Sequence, residues 1–193
     1  MAFVGKMNPE LLLEQTVEDG VREGVIEALL EVLERTDNFT LTHSYRVAQL
    51  ALPVGVFLRL SETDLETLRV AALLHDLGKA FIPAQILLKQ DFLTEEEFAV
   101  MRKHPEYGCS VIGRVPGFTA VCDIVMAHHE RYDGSGYPHH VAAGDIPLGA
   151  RILSVADSFD AMTTARVYRH GTQPDMAAAE VARCAGSQFD PVV

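Results

Sequence analysis

The chain has 193 residues, 48% of them hydrophobic, and its 27 acidic and 16 basic side chains give a net charge of −11. That length fits one domain, or one domain with an extension, and the acidic balance excludes a nonspecific nucleic-acid binder, which would carry a basic face; no DNA partner is expected. Three cysteines without a CxxC pair give no disulfide framework, and the longest apolar stretch, residues 51–58, is too short for a membrane span, so a cytoplasmic protein is expected.

Residues 9–35 read as one amphipathic helix. Asn8 is a good N-cap, Pro9 suits the first helical position, and Val17, Val21, Val25, Ala28, Leu29, Val32 and Leu33 recur at helical spacing. Residues 1–36 are set apart as an N-terminal helix that packs on its own domain, pairs with a second copy as a homodimer element, or acts as a linker. Residues 37–193 form the main domain. A second helix is predicted from about Thr42 to Leu60, with a kink or break at Pro53, which lacks a backbone donor. Ser61-Glu62-Thr63-Asp64 resembles a capping box and opens the third helix. Its apolar run, Val70 to Leu74, reads as buried and ends on His75-Asp76, with Gly78 as the C-cap.

Thr94-Glu95-Glu96-Glu97 is a second capping signature, opening a helix to about Lys103. His104-Pro105 breaks that run, and Pro105 starts a further helix to about Val115. Phe118 to Glu130 is helical and carries His128-His129 at its end; residues 131–147 form the longest loop. Leu148 to Ala165 is a helix bearing Asp157 and Asp160, and Pro174 to Ala185 is the last, closed by Gly186. Strand signals are nearly absent. The expected fold is all-α, a single helical bundle domain of about seven or eight helices.

His43, His75, Asp76, His104, His128, His129 and Asp157 are the residues that carry chemistry. All but His104 lie on, or at the end of, apolar helical segments, where burying an imidazole or carboxylate is costly unless it is hydrogen-bonded or holds a metal. Any one of these histidines reads equally well as a satisfied core residue, and the His-Asp pair alone reads as a structural hydrogen bond. The set does not. Adjacent helical residues point about 100° apart, so His128 and His129 can both reach a metal cluster only at a helix end. Five His and two Asp exceed the needs of one ion and fill two adjacent sites if one carboxylate bridges. Two metals about 3.5–4 Å apart are a known device for hydrolysing phosphate esters.

The stretch His128-His129-Glu130-Arg131-Tyr132-Asp133-Gly134-Ser135-Gly136-Tyr137-Pro138 resembles the HHExxDGxGYP signature of the HD-GYP family. The resemblance runs from His43 through His75-Asp76 with Lys79, His104-Pro105, residues 155–162 and Arg166-Val167-Tyr168-Arg169 to Phe189-Asp190-Pro191. HD-GYP proteins are bacterial phosphodiesterases of the HD metal-dependent phosphohydrolase superfamily that hydrolyse cyclic di-GMP. The resemblance implies that Asp76 bridges two divalent transition-metal ions, iron or manganese. It implies that His43, His75 and Asp157 complete one site, and His104, His128 and His129 the other. Lys79 would neutralise phosphate charge, its bland reading being a surface lysine. Tyr137 would contact a base or the sugar-phosphate, or pack as an ordinary aromatic. Arg166 and Arg169 would bind phosphate, or form a solvated basic patch.

The function implied is hydrolysis of cyclic di-GMP to linear pGpG, with GMP as the further product. The alternatives are an HD-superfamily hydrolase of another cyclic dinucleotide or nucleotide, and a non-catalytic module that binds a cyclic dinucleotide or a partner such as a diguanylate cyclase. Three departures stand out: Phe39 where some members carry Glu, Pro53 inside a helix, and an end two residues after Pro191, which suggests a shortened C-terminus. No receiver or sensor domain is expected within these 193 residues. Phe39 lacks a donor atom, so a two-metal site is expected, with Phe39 packed beside it.

Overall fold

The computed structural model describes residues 9–36, 38–165 and 171–193; within its helices the side chains of residues 9–19, 36, 38 and 39 fall outside the description. Helix α1 spans Pro9–Thr36, α2 Asn38–Phe57, α3 Glu62–Leu74, α4 the single turn Ala84–Leu87, and α5 Glu95–Met101. Then come α6 (His104–Ile112), α7 (Thr119–Ala127), α8 (Leu148–Thr163) and α9 (Pro174–Arg183), with 3-10 turns at Leu77–Phe81 and Ala143–Asp145. Among the described residues there is no strand, only an isolated bridge between Ala185 and Phe189, and no helix is long and apolar enough to cross a membrane.

The all-α expectation holds, and α3 is its axis. Leu68 and every residue from Val70 to Leu74 are buried, and a helix apolar on all sides belongs in the middle of a bundle. Val47 and Ala51 of α2, Val121 and Val125 of α7, and Ile152 and Leu153 of α8 close around it. Ile26 and Leu30 place the C-terminal half of α1 on the same core.

Local capping matches the sequence closely. Ser61 accepts from the Asp64 amide at 3.1 Å, but Asp64 bonds the Ser61 hydroxyl instead of reaching back to its backbone. Thr94 and Glu97 form a complete capping box.

Two expectations are corrected. α2 begins earlier than Thr42 and runs through Pro53 without a break. The carbonyl that Pro53 leaves without an intrahelical donor belongs to Gln49, an exposed residue. Gly78 does not cap α3, which ends on His75 in right-handed geometry. It lies in the following 3-10 turn, where a Cβ would sit 1.8 Å from the His104 carbonyl oxygen and 2.5 Å from the Gly108 nitrogen. Glycine is required there for space: the backbone after Asp76 lies directly on the backbone of α6.

Candidate metal centre

Five elements deliver the seven ligand-type side chains to one place. α2 presents His43 from its first third. α3 ends on His75, and Asp76 follows with φ −96° and ψ 3°, turning the chain sharply so that both side chains face inward. His104 opens α6, His128-His129 close α7, and Asp157 lies in the middle of α8. His75 and His128 are fully buried, and His43, Asp76 and His104 are at most 5% exposed.

Asp76 sits between two groups. Its Oδ2 is 3.3 Å from His75 Nε2 and 4.0 Å from His43 Nε2, while its Oδ1 is 3.6 Å from His104 Nε2. The Lys79 ammonium donates to Oδ2 at 2.7 Å. Donor atoms of His43, His75 and Asp157 lie within 4.8 Å of one another, as do those of His104, His128 and His129, and those of His75, Asp76 and His128. His43 Nε2 is 3.0 Å from Asp157 Oδ1.

The ring orientations follow from main-chain acceptors. His75 Nδ1 donates to the Ala72 carbonyl at 2.8 Å, His104 Nδ1 to Met101 at 2.9 Å, and His128 Nδ1 to Val125 at 2.6 Å. A carbonyl only accepts, so each Nδ1 carries the hydrogen and each Nε2 keeps its lone pair. Two consequences test the site for a metal. His104 Nε2 and His128 Nε2 face each other at 3.4 Å as two acceptors, an arrangement that repels unless a cation lies between them. His75 Nε2 is buried with no hydrogen-bond partner, which is costly for a polar atom. The donor set therefore fits divalent transition-metal ions, for which neutral imidazole and carboxylate are suited ligands.

The electrostatics point the same way. Burial holds His104 at about 4 and His129 at about 3, and it pushes His128 well below the ordinary imidazole value. These three are neutral at physiological pH, as ligands must be. Burial alone would raise the Asp76 pKa, but the neighbouring His75 and Lys79 hold it well below the usual carboxylate range. At His43 burial opposes the charged form, yet Asp157 and Asp160 outweigh it and raise the imidazole to about 9.

Asp160 and Arg46 belong to the site, though the sequence did not single them out as such. Asp160 Oδ2 accepts from His43 Nδ1 at 2.6 Å, and Arg46 grips the same carboxylate at 2.6 and 2.9 Å. The available signal was spacing. His43 and Arg46 are one turn apart on α2, and Asp157 and Asp160 are one turn apart on α8, so two short faces match. Glu130 is a further addition: it is 3% exposed, and its Oε1 accepts from the His139 amide at 2.6 Å. That bond closes the loop after α7.

Within the loop, Gly134 has φ +78°, and a Cβ on Gly136 would lie 2.3 Å from the Arg131 nitrogen. One glycine supplies the turn and the other the close approach. Tyr137 then donates its amide to the His129 carbonyl at 3.2 Å and stacks its ring on His129 at 4.8 Å and 27°. A cavity of about 250 Å³ opens here, with His129 and Asp157 in its wall. A larger apolar cavity of about 480 Å³ flanks α8 elsewhere, lined by Leu50, Val54, Val155, Phe159 and Val181, and holds none of the seven ligand-type residues. Arg166 and Arg169 lie outside the described residues, as does the Phe39 side chain.

A family model described as HD domain matches residues 27–193. The chain is 42% identical over 161 residues to the cyclic di-GMP phosphodiesterase response regulator RpfG of Xanthomonas campestris pv. campestris, covering 82% of this chain and 43% of that protein. It is 37% identical over 190 residues to a cyclic di-GMP phosphodiesterase of Thermotoga maritima, covering 94% and 52%. A crystal structure of a cyclic GMP-AMP-specific phosphodiesterase of Vibrio cholerae, V-cGAP3, superposes with TM-score 0.66 at 21% identity over 86% of this chain and 45% of that one. The chain spans about half the length of the curated relatives it matches. The resemblance read from the HHExxDGxGYP stretch is borne out by these relatives.

Proposed function

Since the chain belongs to the HD domain family, and since its buried histidines surround one carboxylate, we propose that it is a metal-dependent phosphodiesterase that opens cyclic di-GMP to linear pGpG, with GMP as the further product. The observation that carries this reading is Asp76, whose two oxygens face two separate histidine groups. In this reading Asp76 would serve two ions, iron or manganese, of which His43, His75 and Asp157 would hold one and His104, His128 and His129 the other. When bound, the pair supplies a hydroxide nucleophile at neutral pH and neutralises the phosphate.

The chain's own groups do the rest. Lys79 carries a positive charge beside Asp76 and meets charge building on the phosphate oxygens, where a fixed cation lowers the barrier most. Asp160 keeps His43 in the tautomer that turns Nε2 inward. Tyr137, stacked on His129, offers its face and hydroxyl to a base or the sugar-phosphate, and Arg166 and Arg169 are the further phosphate contacts. A homodimer through α1 and a diguanylate cyclase partner belong to the same proposal for the whole protein.

The test is turnover by protein loaded anaerobically with iron(II) or manganese(II), with cyclic di-GMP and 3′3′-cGAMP as parallel substrates and products separated by chromatography. Release of pGpG supports the reading. Preference for 3′3′-cGAMP would revise the base identity, and absence of cleavage of either substrate by metal-loaded protein would overturn it.

A further inference from the structure

We infer that Arg102 is a specificity-determining residue that binds the second, uncleaved phosphate of a cyclic dinucleotide. The inference rests on the substrate class proposed above. Its ground is an account of the described cations at the cavity beside the metal centre, whose wall also holds the carboxylates of Glu130 and Asp157. Two cations that line this cavity are Arg102 and Arg131. Arg131 is already satisfied: its guanidinium donates to Asp133 at 3.1 Å, to the Ser135 hydroxyl at 2.8 Å and to Gln188 at 3.0 Å. Lys79, at the metal centre, is held by Asp76. Arg102 forms no ion pair with any described carboxylate.

Its guanidinium lies over the Phe98 ring at 4.4 Å and 5.7 Å from the centre of the Tyr137 ring. Tyr137 in turn stacks on the ligand-type His129. The rings hold the guanidinium by cation–π attraction, which leaves its N–H groups free for a ligand. In a chain of net charge −11, an arginine at a cavity without an acidic partner is available to an anion.

The substrate supplies that anion. A cyclic dinucleotide carries two phosphodiester charges on opposite sides of its ring. One is met at the metal centre. The other must be met further along the cavity, and a planar guanidinium is suited to two phosphate oxygens at once. The backbone ties the two points together: Arg102 caps α5, and His104 opens α6 two residues later. The connector that positions a ligand-type histidine therefore also positions the cation.

The experiment compares metal-loaded wild type, Arg102→Ala and Arg102→Lys on cyclic di-GMP and on bis(p-nitrophenyl) phosphate, which has one phosphate. In Arg102→Ala the KM for cyclic di-GMP is expected to rise about ten- to a hundredfold, with kcat within a few fold, as for loss of a hydrogen-bonded charge. The ratio of kcat/KM between the two substrates falls accordingly. Arg102→Lys recovers part of the loss, and the KM of the Ala variant responds less to salt than that of wild type. Equal losses on both substrates would show that Arg102 only supports the site and would overturn the inference alone. No change on either would do the same. A wild type that cleaves bis(p-nitrophenyl) phosphate but no cyclic dinucleotide would overturn the substrate reading and this inference with it.

Discussion

At the scale of single residues, the proposed function divides the site into groups that would hold metal and groups that would act on charge. Asp76→Ala is expected to remove activity and bound metal together, because its two oxygens serve both histidine groups. Lys79→Ala is expected to keep its metal and lose turnover, by about a hundredfold on the scale of one preorganised charge contact. Metal analysis of the two purified variants separates the roles; equal metal loss would contradict the division. His43 makes a second prediction. In metal-free protein its pKa is raised to about 9, above the ordinary imidazole value of about 6.5. Its protonated form therefore stabilises the metal-free fold fully below about pH 6.5, and that contribution is lost as pH rises through about 9. The Tm of metal-free protein should fall over that window. Metal binding at about pH 7 should displace this proton. Calorimetry in two buffers of different ionisation enthalpy reads the release, and identical apparent enthalpies would refute it.

At the scale of elements, the site is a set of helix ends and matched turns. α2 and α8 meet through His43 and Arg46 on one side and Asp157 and Asp160 on the other. Asp160→Asn should lower metal affinity in the His43 group about ten- to a hundredfold, the usual effect of losing a ligand's orienting partner. The other group should be less affected, and titration of metal binding resolves the two. Gly78→Ala should destabilise the fold by about 1–3 kcal/mol or more, since overpacking here meets backbone that cannot rotate away; denaturant unfolding measures it. The helices were legible in the sequence because apolar spacing reports a buried face directly. The seven ligand-type residues were legible because so many polar groups at apolar helix positions require a shared purpose. Gly78 was misread because its constraint comes from α6, which local sequence does not show. Asp160 was not singled out because a helix bearing two carboxylates does not say which neighbour faces them, and the local sequence around Arg102 does not show which cavity it lines.

At the scale of the whole molecule, the proposed metal centre implies that metal binding and folding are coupled. Elements as far apart in the chain as α2 and α8 contribute to one buried cluster in which His75 Nε2 has no hydrogen-bond partner and two further Nε2 atoms face each other as acceptors. Chelation should therefore lower the Tm. An ion present at about a thousand times its Kd contributes about 4 kcal/mol to the folded state, and a thermal scan with and without chelator checks it. The count of ions should be near two per chain. A reproducible count near three, with the third ion bound between Glu34 and Thr42, would show that this stretch supplies a ligand which Phe39 itself lacks.

The three histidines anchored on main-chain carbonyls carry one more implication, for how the site tolerates genetic change. Ala72, Met101 and Val125 orient His75, His104 and His128 through atoms that every amino acid possesses. Side-chain replacement at those positions leaves the acceptor in place, so the orientation of these ligands is insulated from drift wherever the helices persist. His43 has no such protection, because its orienting acceptor is the side chain of Asp160. In a library of random single substitutions, positions 72, 101 and 125 should accept many residues of similar size, while position 160 should accept almost none.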